Sequence, residues 1–257
     1  MKVVILCGGY GTRLREETEV RPKPMAEIGG RPILWHIMKT FAHYGYTEFV
    51  LCLGYKGDVI KNYFLNYESL NNDVTVELGT GNVEMYNNHE ENGWRVTMVD
   101  TGLNAMTGAR VKRIEKYIDE DRFLLTYGDG VTDLNIADLV KFHESQSQIG
   151  TVTGVSPPSH YGELNIDQGK VVSFREKPEN SESFISGGYF VFSRDFFSYL
   201  SDDESCVMER GPLEKLALDG QLGVYAYQGF WQCMDTYRDY QYLNELWEKK
   251  NAEWKVW

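Results

Sequence analysis

The chain has 257 residues, 42% of them apolar and 14% aromatic, which is enough for a buried core and excludes a disordered or low-complexity polypeptide. Acidic residues outnumber basic ones 38 to 26 with no Lys/Arg-rich block, and the net charge of −12 argues against nucleic acid and anionic membrane as partners, since both are bound through basic patches that replace counterions. Cys7, Cys52, Cys206 and Cys233 form no CxxC pair, and no run is long enough for a signal peptide or a membrane span, so no zinc or disulfide framework is indicated and a cytoplasmic protein is expected.

Residues 2 to 7 (KVVILC) are a short apolar run stopped by glycine, which predicts a buried strand. From Pro32 a helical pattern places Ile33, Leu34, Ile37, Met38 and Phe41 on one face and ends at Gly45. FVLCLG (49 to 54) predicts a second buried strand, GDVIKNYFLNY a second helix through Val59, Ile60, Tyr63 and Phe64, and FLLTYGDG (123 to 130) a strand ended by turn residues. Strands alternating with helices of this length imply right-handed crossovers and a largely parallel α/β sheet. Residues 79 to 94 are polar with little periodicity and read as an insertion or subunit-contact loop.

The second half is richer in β-structure: TVTGV, VVSFRE, GGYFVF and LGVYAY predict strands, with a short helix from Pro212 to Leu218 before the last. A final helix, TYRDYQYLNELWEKK, carries Tyr237, Tyr240, Leu243 and Trp247 at helical spacing, as core or interface residues. No linker and no internal repeat divides the chain. The expectation is one domain over 1–257, with an α/β half to about residue 135 and a more β-rich half from about residue 136.

In open α/β sheets ligands sit beyond the carboxyl ends of the strands, where both LCGGYGTRL and Tyr127-Gly128-Asp129-Gly130 fall. A glycine loop behind a strand lets backbone N–H groups turn toward an anion such as phosphate, although the glycines alone also suit a tight turn. The loop is not a P-loop, because GxxxxGK[ST] finds no lysine here. Nor is it GxGxxG, because Leu14 stands at the sixth place after Gly9 and Gly11. Asp129, held between two glycines, suits a Mg²⁺ ligand, since that ion takes few protein carboxylates, and Asp235 in GFWQCMDTYRD would be the second. Both have plainer readings, an Asx turn for Asp129 and a helix N-cap for Asp235.

LxGGxGTRL followed by Arg21-Pro22-Lys23-Pro24-Met25 resembles the sugar-1-phosphate nucleotidyltransferase family, whose consensus is a GGxGTRL loop with a downstream KP. The resemblance implies a Rossmann-like nucleotide-diphospho-sugar transferase fold, with a mostly parallel central sheet and a β-rich sugar-binding half. It implies that Leu6, Gly8, Gly9, Gly11, Thr12, Arg13, Lys23 and Gly128 bind the nucleotide, with Arg13 and Lys23 neutralising its phosphates. Thr107 and Arg110 would lie beside it, their plainer roles being a helix cap and a surface charge. It implies Mg²⁺ on Asp129 and Asp235, so that Arg13, Lys23, Asp129 and Asp235 carry the catalysis. Trp231 stands four residues before Asp235, where the commoner pattern has two.

Tyr127, Gly162, Glu176, Lys177 and Gly188 would form the sugar-phosphate side, Lys177 meeting the phosphate and Glu176 the hydroxyls. Read alone, Glu176-Lys177 is an exposed ion pair before a proline, and Ser186 replaces the family's usual Asn. RPKPMAEIGGRPILWHIMK, DTGLNAMTGARVKR and LTYGDGVTDLN resemble the branch that uses CTP and glucose 1-phosphate, a base assignment resting on resemblance alone. The alternatives are the same chemistry with UTP or dTTP, and a catalytically silent regulatory relative; a glycosyltransferase would not need the GTRL and KP elements. Family analogy also implies a homo-oligomer.

Overall fold

The computed structural model describes residues 1–86, 89–156, 163–168, 170–175 and 184–257. Its first strand, β1 (Val3–Leu6), is apolar and buried throughout, with Val3 and Ile5 entering one core and Val4 and Leu6 the other. Such a strand can only lie inside a sheet covered on both faces. It runs parallel to β2 (Glu48–Leu53) on one side and to β4 (Arg122–Tyr127) on the other, and β2 runs parallel to the edge strand β3 (Arg95–Asp100).

The second half adds β5 (Gly150–Val155), β6 (Ile185–Ser193) and β7 (Leu222–Tyr227), completing a seven-stranded sheet in the order β7-β5-β6-β4-β1-β2-β3. Only β6 runs against its neighbours, so the sheet is mostly parallel, as expected of an α/β chain. The expected VVSFRE strand forms outside this sheet, as a hairpin between residues 163–167 and 170–175.

Helix α1 (Ile33–His43) follows Pro32 and buries the five side chains on its predicted apolar face. Helix α2 (Gly57–Leu65) is shorter than its pattern suggests because Asn66 ends it, and Tyr67–Asn71 form a separate turn of helix. Helices α3 (Thr107–Arg113) and α4 (Ile136–Ser145) complete the first crossovers, α5 (Pro212–Leu218) matches its prediction, and α6 (Tyr237–Glu248) closes the fold. On α6, Leu243 is fully buried and Tyr240 and Trp247 pack against the core, but Tyr237 is exposed and stacks on Tyr240 instead.

The stretch read as a loop over 79 to 94 is partly regular. Asn82–Tyr86 pairs with Asp73–Glu77 in an antiparallel hairpin turned at Gly81, whose φ is +76°. The hairpin lies almost wholly in solvent, so nothing selects an apolar face and no alternation marks it. Among the described residues, no helix is long and apolar enough to cross a membrane.

Candidate active site

Beyond the carboxyl ends of β1 and β4 lies a cavity of about 390 Å³. Its walls include every residue that the sequence placed at the nucleotide: Leu6, Gly8, Gly9, Gly11, Thr12, Arg13, Lys23, Thr107, Arg110 and Gly128. Tyr127, Asp129 and Asp235 line it as well. It is of a size for a drug- or nucleotide-like ligand, and it opens where the sheet's strand order reverses.

The glycine loop is held from below. The Tyr55 N–H donates to the Gly8 carbonyl at 3.2 Å, and the Arg110 guanidinium donates to it at 3.0 Å. A Cβ on Gly8 would lie 2.2 Å from the Arg110 guanidinium, so the first glycine is required by close approach. Arg110 is not the surface charge that its plainer reading made it: it is buried, and it donates also to the carbonyls of Leu53, Gly102 and Leu103 and to the Thr101 hydroxyl. With four carbonyls satisfied, its charge is met by backbone dipoles rather than by a carboxylate. Gly9 has open space where its side chain would be, facing the cavity.

Lys23 sits in a 3₁₀ turn (Lys23–Met25) entered from Pro22 and continued by Pro24, which fixes its backbone beneath the loop. Its ammonium donates to Asp129 Oδ2 and to Asp235 Oδ1, both at 2.7 Å. Burial alone would lower the pKa of Lys23, but the Asp129 carboxylate, with help from Asp235, holds it above the ordinary lysine value. Arg13, largely exposed, pairs with the other oxygen of Asp235.

Two pairings bring carboxylates 106 residues apart together. The short strand Gly130–Thr132 pairs with Trp231–Cys233, and the Met234 N–H donates to the Asp129 carbonyl at 2.8 Å, so residues 129 and 235 emerge side by side. Asp235 is not the N-cap of α6. Thr236 takes that place, accepting from the Asp239 N–H, while Asp239 reaches back to the N–H groups of Asp235 and Thr236. This leaves the Asp235 carboxylate for the cavity and makes Asp239, overlooked in the sequence, the residue that holds its backbone.

Cys233 is a second residue that the sequence did not single out. Its sulfur and one oxygen each from Asp129 and Asp235 lie within 4.8 Å of one another. Two carboxylates at that spacing fit a small divalent ion that keeps water or phosphate in its other positions. Burial and the Asp129 carboxylate push the Cys233 thiol up to about 12, so sulfur is protonated at neutral pH and the hard donors are the aspartates.

On the sugar side, Gly162, Glu176 and Lys177 lie outside the described residues. Gly188 has φ +76° and abuts the Tyr127 ring. The Tyr127 hydroxyl donates to Glu209, and the Thr107 hydroxyl donates to the other Glu209 oxygen at 2.6 Å while accepting from the Met208 N–H at 2.9 Å. Thr107 is therefore the first residue of α3 rather than its cap, which is Met106. Neither Glu209 nor Tyr10, whose hydroxyl donates to Asn104 across the cavity mouth at 3.1 Å, carried a sequence signal, since each acts through side chains brought close only by the fold.

A family model described as nucleotidyl transferase matches residues 2–235. The chain is 48% identical over 258 residues to the glucose-1-phosphate cytidylyltransferase of Salmonella typhi, with all of both chains covered. It is 27% identical over 266 residues to mannose-1-phosphate guanyltransferase beta-A of Xenopus laevis, covering 99% of this chain and 68% of that one. Among solved structures, HddC from Yersinia pseudotuberculosis has the same fold, with a TM-score of 0.70 at 24% identity over 96% of this chain and 99% of that one.

Proposed function

The chain belongs to the nucleotidyl transferase family, and we propose that it makes CDP-glucose and pyrophosphate from CTP and glucose 1-phosphate. The observation that carries the reading is the meeting of Lys23, Arg13, Asp129 and Asp235 in one cavity beside the glycine loop, in a chain 48% identical to a glucose-1-phosphate cytidylyltransferase over its whole length.

A phosphate oxygen of glucose 1-phosphate attacks the α-phosphorus of CTP in line. The new P–O bond forms as the bond to the β-phosphate oxygen breaks, and pyrophosphate leaves with that electron pair. No protein nucleophile is needed, so the chain contributes position and charge. In this reading the backbone of Gly8, Gly9 and Gly11 cradles the triphosphate, and Arg13 and Lys23 neutralise it. Mg²⁺, which Asp129 and Asp235 would hold, supplies further neutralisation of the phosphates when bound. Glu176 and Lys177, with Gly162 and Gly188, are assigned to the sugar phosphate by their place in the family's pattern.

Two wider readings accompany this one. All four cysteines are free thiols, which supports a reducing, cytoplasmic setting for a single catalytic unit. The hairpin of residues 73–86 exposes Val76, Leu78, Val83 and Met85, which supports its use as a contact between copies in a homo-oligomer, open to test by light scattering.

The test is product analysis. Purified protein with CTP, glucose 1-phosphate and Mg²⁺ should yield CDP-glucose and pyrophosphate in equal amounts, and Asp129→Asn, shown to be folded, should be slower by about 10²-fold or more. CMP transfer at the wild-type rate by Asp129→Asn would remove this site from the reaction.

A further inference from the structure

The two carboxylates assigned to a divalent ion are bridged by the chain's own cation. The Lys23 ammonium lies 2.7 Å from an oxygen of each, and Arg13 occupies the remaining side of Asp235. Lys23 is itself buried, at 9% exposure, so its two pairs are only partly screened by water. An ammonium and a divalent cation held between the same two oxygens would face each other at a few ångströms and repel strongly.

We infer that Lys23 is a displaceable counter-ion that closes the Asp129–Asp235 pair to divalent cations in the nucleotide-free protein, and that a bound triphosphate opens the pair by drawing Lys23 and Arg13 onto its own oxygens. The inference rests on the functional reading above and deepens it, because it makes the carboxylate pair competent for metal only once nucleotide is present.

Three features support it. Lysine is a compact charge on a flexible four-carbon stem, so its ammonium can swing while its proline-flanked backbone stays fixed. Arg13, with a side chain 75% exposed, is held by an ion pair to Asp235. The space beside Gly9, which lines the same cavity as both cations, is open. By linkage, whatever factor nucleotide adds to metal affinity, metal adds to nucleotide affinity.

The test needs no turnover. Mn²⁺ is titrated against nucleotide-free protein and the free ion is followed by electron paramagnetic resonance, using wild type, Lys23→Met, Lys23→Arg and the double variant Lys23→Met/Asp129→Asn, each checked for a native melting transition. Lys23→Gln replaces Lys23→Met if the latter does not fold. Lys23→Met should bind Mn²⁺ at least about tenfold more tightly than wild type, a change worth about 1.4 kcal/mol, Lys23→Arg should stay weak, and the double variant should lose the gain. Equal affinity in wild type and Lys23→Met overturns the counter-ion role. A double variant that binds as tightly as Lys23→Met places the ion elsewhere and overturns the metal assignment itself.

Discussion

The Arg110 guanidinium lies 3.0 Å from the carbonyl of Gly8, 102 residues earlier in the chain, and so ties the start of the glycine loop to helix α3. The same group satisfies three other carbonyls, so the loop's shape depends on a buried side chain that need not touch a ligand at all.

Arg110→Ala should therefore cost about 2–3 kcal/mol of folding stability, since it removes several hydrogen bonds and a buried side chain at once, although the Gly8 and Leu53 carbonyls keep the Tyr55 and Thr101 N–H groups. Arg110→Lys should recover little of this, because a single ammonium cannot reproduce the fork. Urea unfolding followed by tryptophan fluorescence would measure both. A loss below about 1 kcal/mol would mean that the loop holds itself.

A second dependence lies outside the cavity wall. His36 is buried among Trp35, Trp247, Trp254 and Trp257, and burial pushes its pKa down to about 4. Its partners fix the neutral tautomer: Nε2–H donates to the Ile28 carbonyl at 2.9 Å, and Nδ1 accepts from the Trp254 indole at 3.3 Å. Protonation would set two donors against each other. Because the folded pKa is depressed, stability from this site is complete above about pH 6.5 and is lost as pH falls toward 4, by roughly 3 kcal/mol for a shift of this size. His36→Gln, whose amide can both donate and accept, should lack this component. The stability gap between wild type and His36→Gln, followed by urea unfolding across that range, should move in the variant's favour as pH falls; a constant gap would contradict the burial argument.

Gly188 tests the seam between the two halves. Its φ of +76° disfavours any side chain, and a Cβ there would stand 2.7 Å from Tyr127 Cδ2. Gly188→Ala should cost about 1–2 kcal/mol from backbone strain, and more from the displaced ring. In a Tyr127→Ala background the second part should vanish. Additive costs in the double variant, read from thermal melts, would show that the ring yields freely.

These relationships divide by how local they are. The glycine loop, Lys23 between its prolines and Asp129 between its glycines were legible because neighbouring residues carry the signal. The strands β1, β2 and β4 were legible because burial on both faces leaves uninterrupted apolar runs. The edge strand β3 escaped notice because only alternate parts of it are covered. The plainer reading of Arg110 as a surface charge fails because its partners are backbone carbonyls, and a carbonyl has no sequence signature. Asp235 and Thr236 are both competent caps, but the Thr236-x-x-Asp239 spacing is that of a capping box and favoured threonine. Cys233 and Glu209 depend on pairings across roughly a hundred residues that no local pattern encodes.

The account stands most directly on the nucleotide that the cavity accepts. Pyrophosphate release would be measured with glucose 1-phosphate and Mg²⁺, separately with CTP, UTP, dTTP, ATP and GTP, each with and without EDTA. The account predicts release mainly with CTP and its loss on chelation. Preference for UTP or dTTP would contradict the base assignment while keeping the site, and silence with all five nucleotides from folded protein would contradict the enzymatic reading.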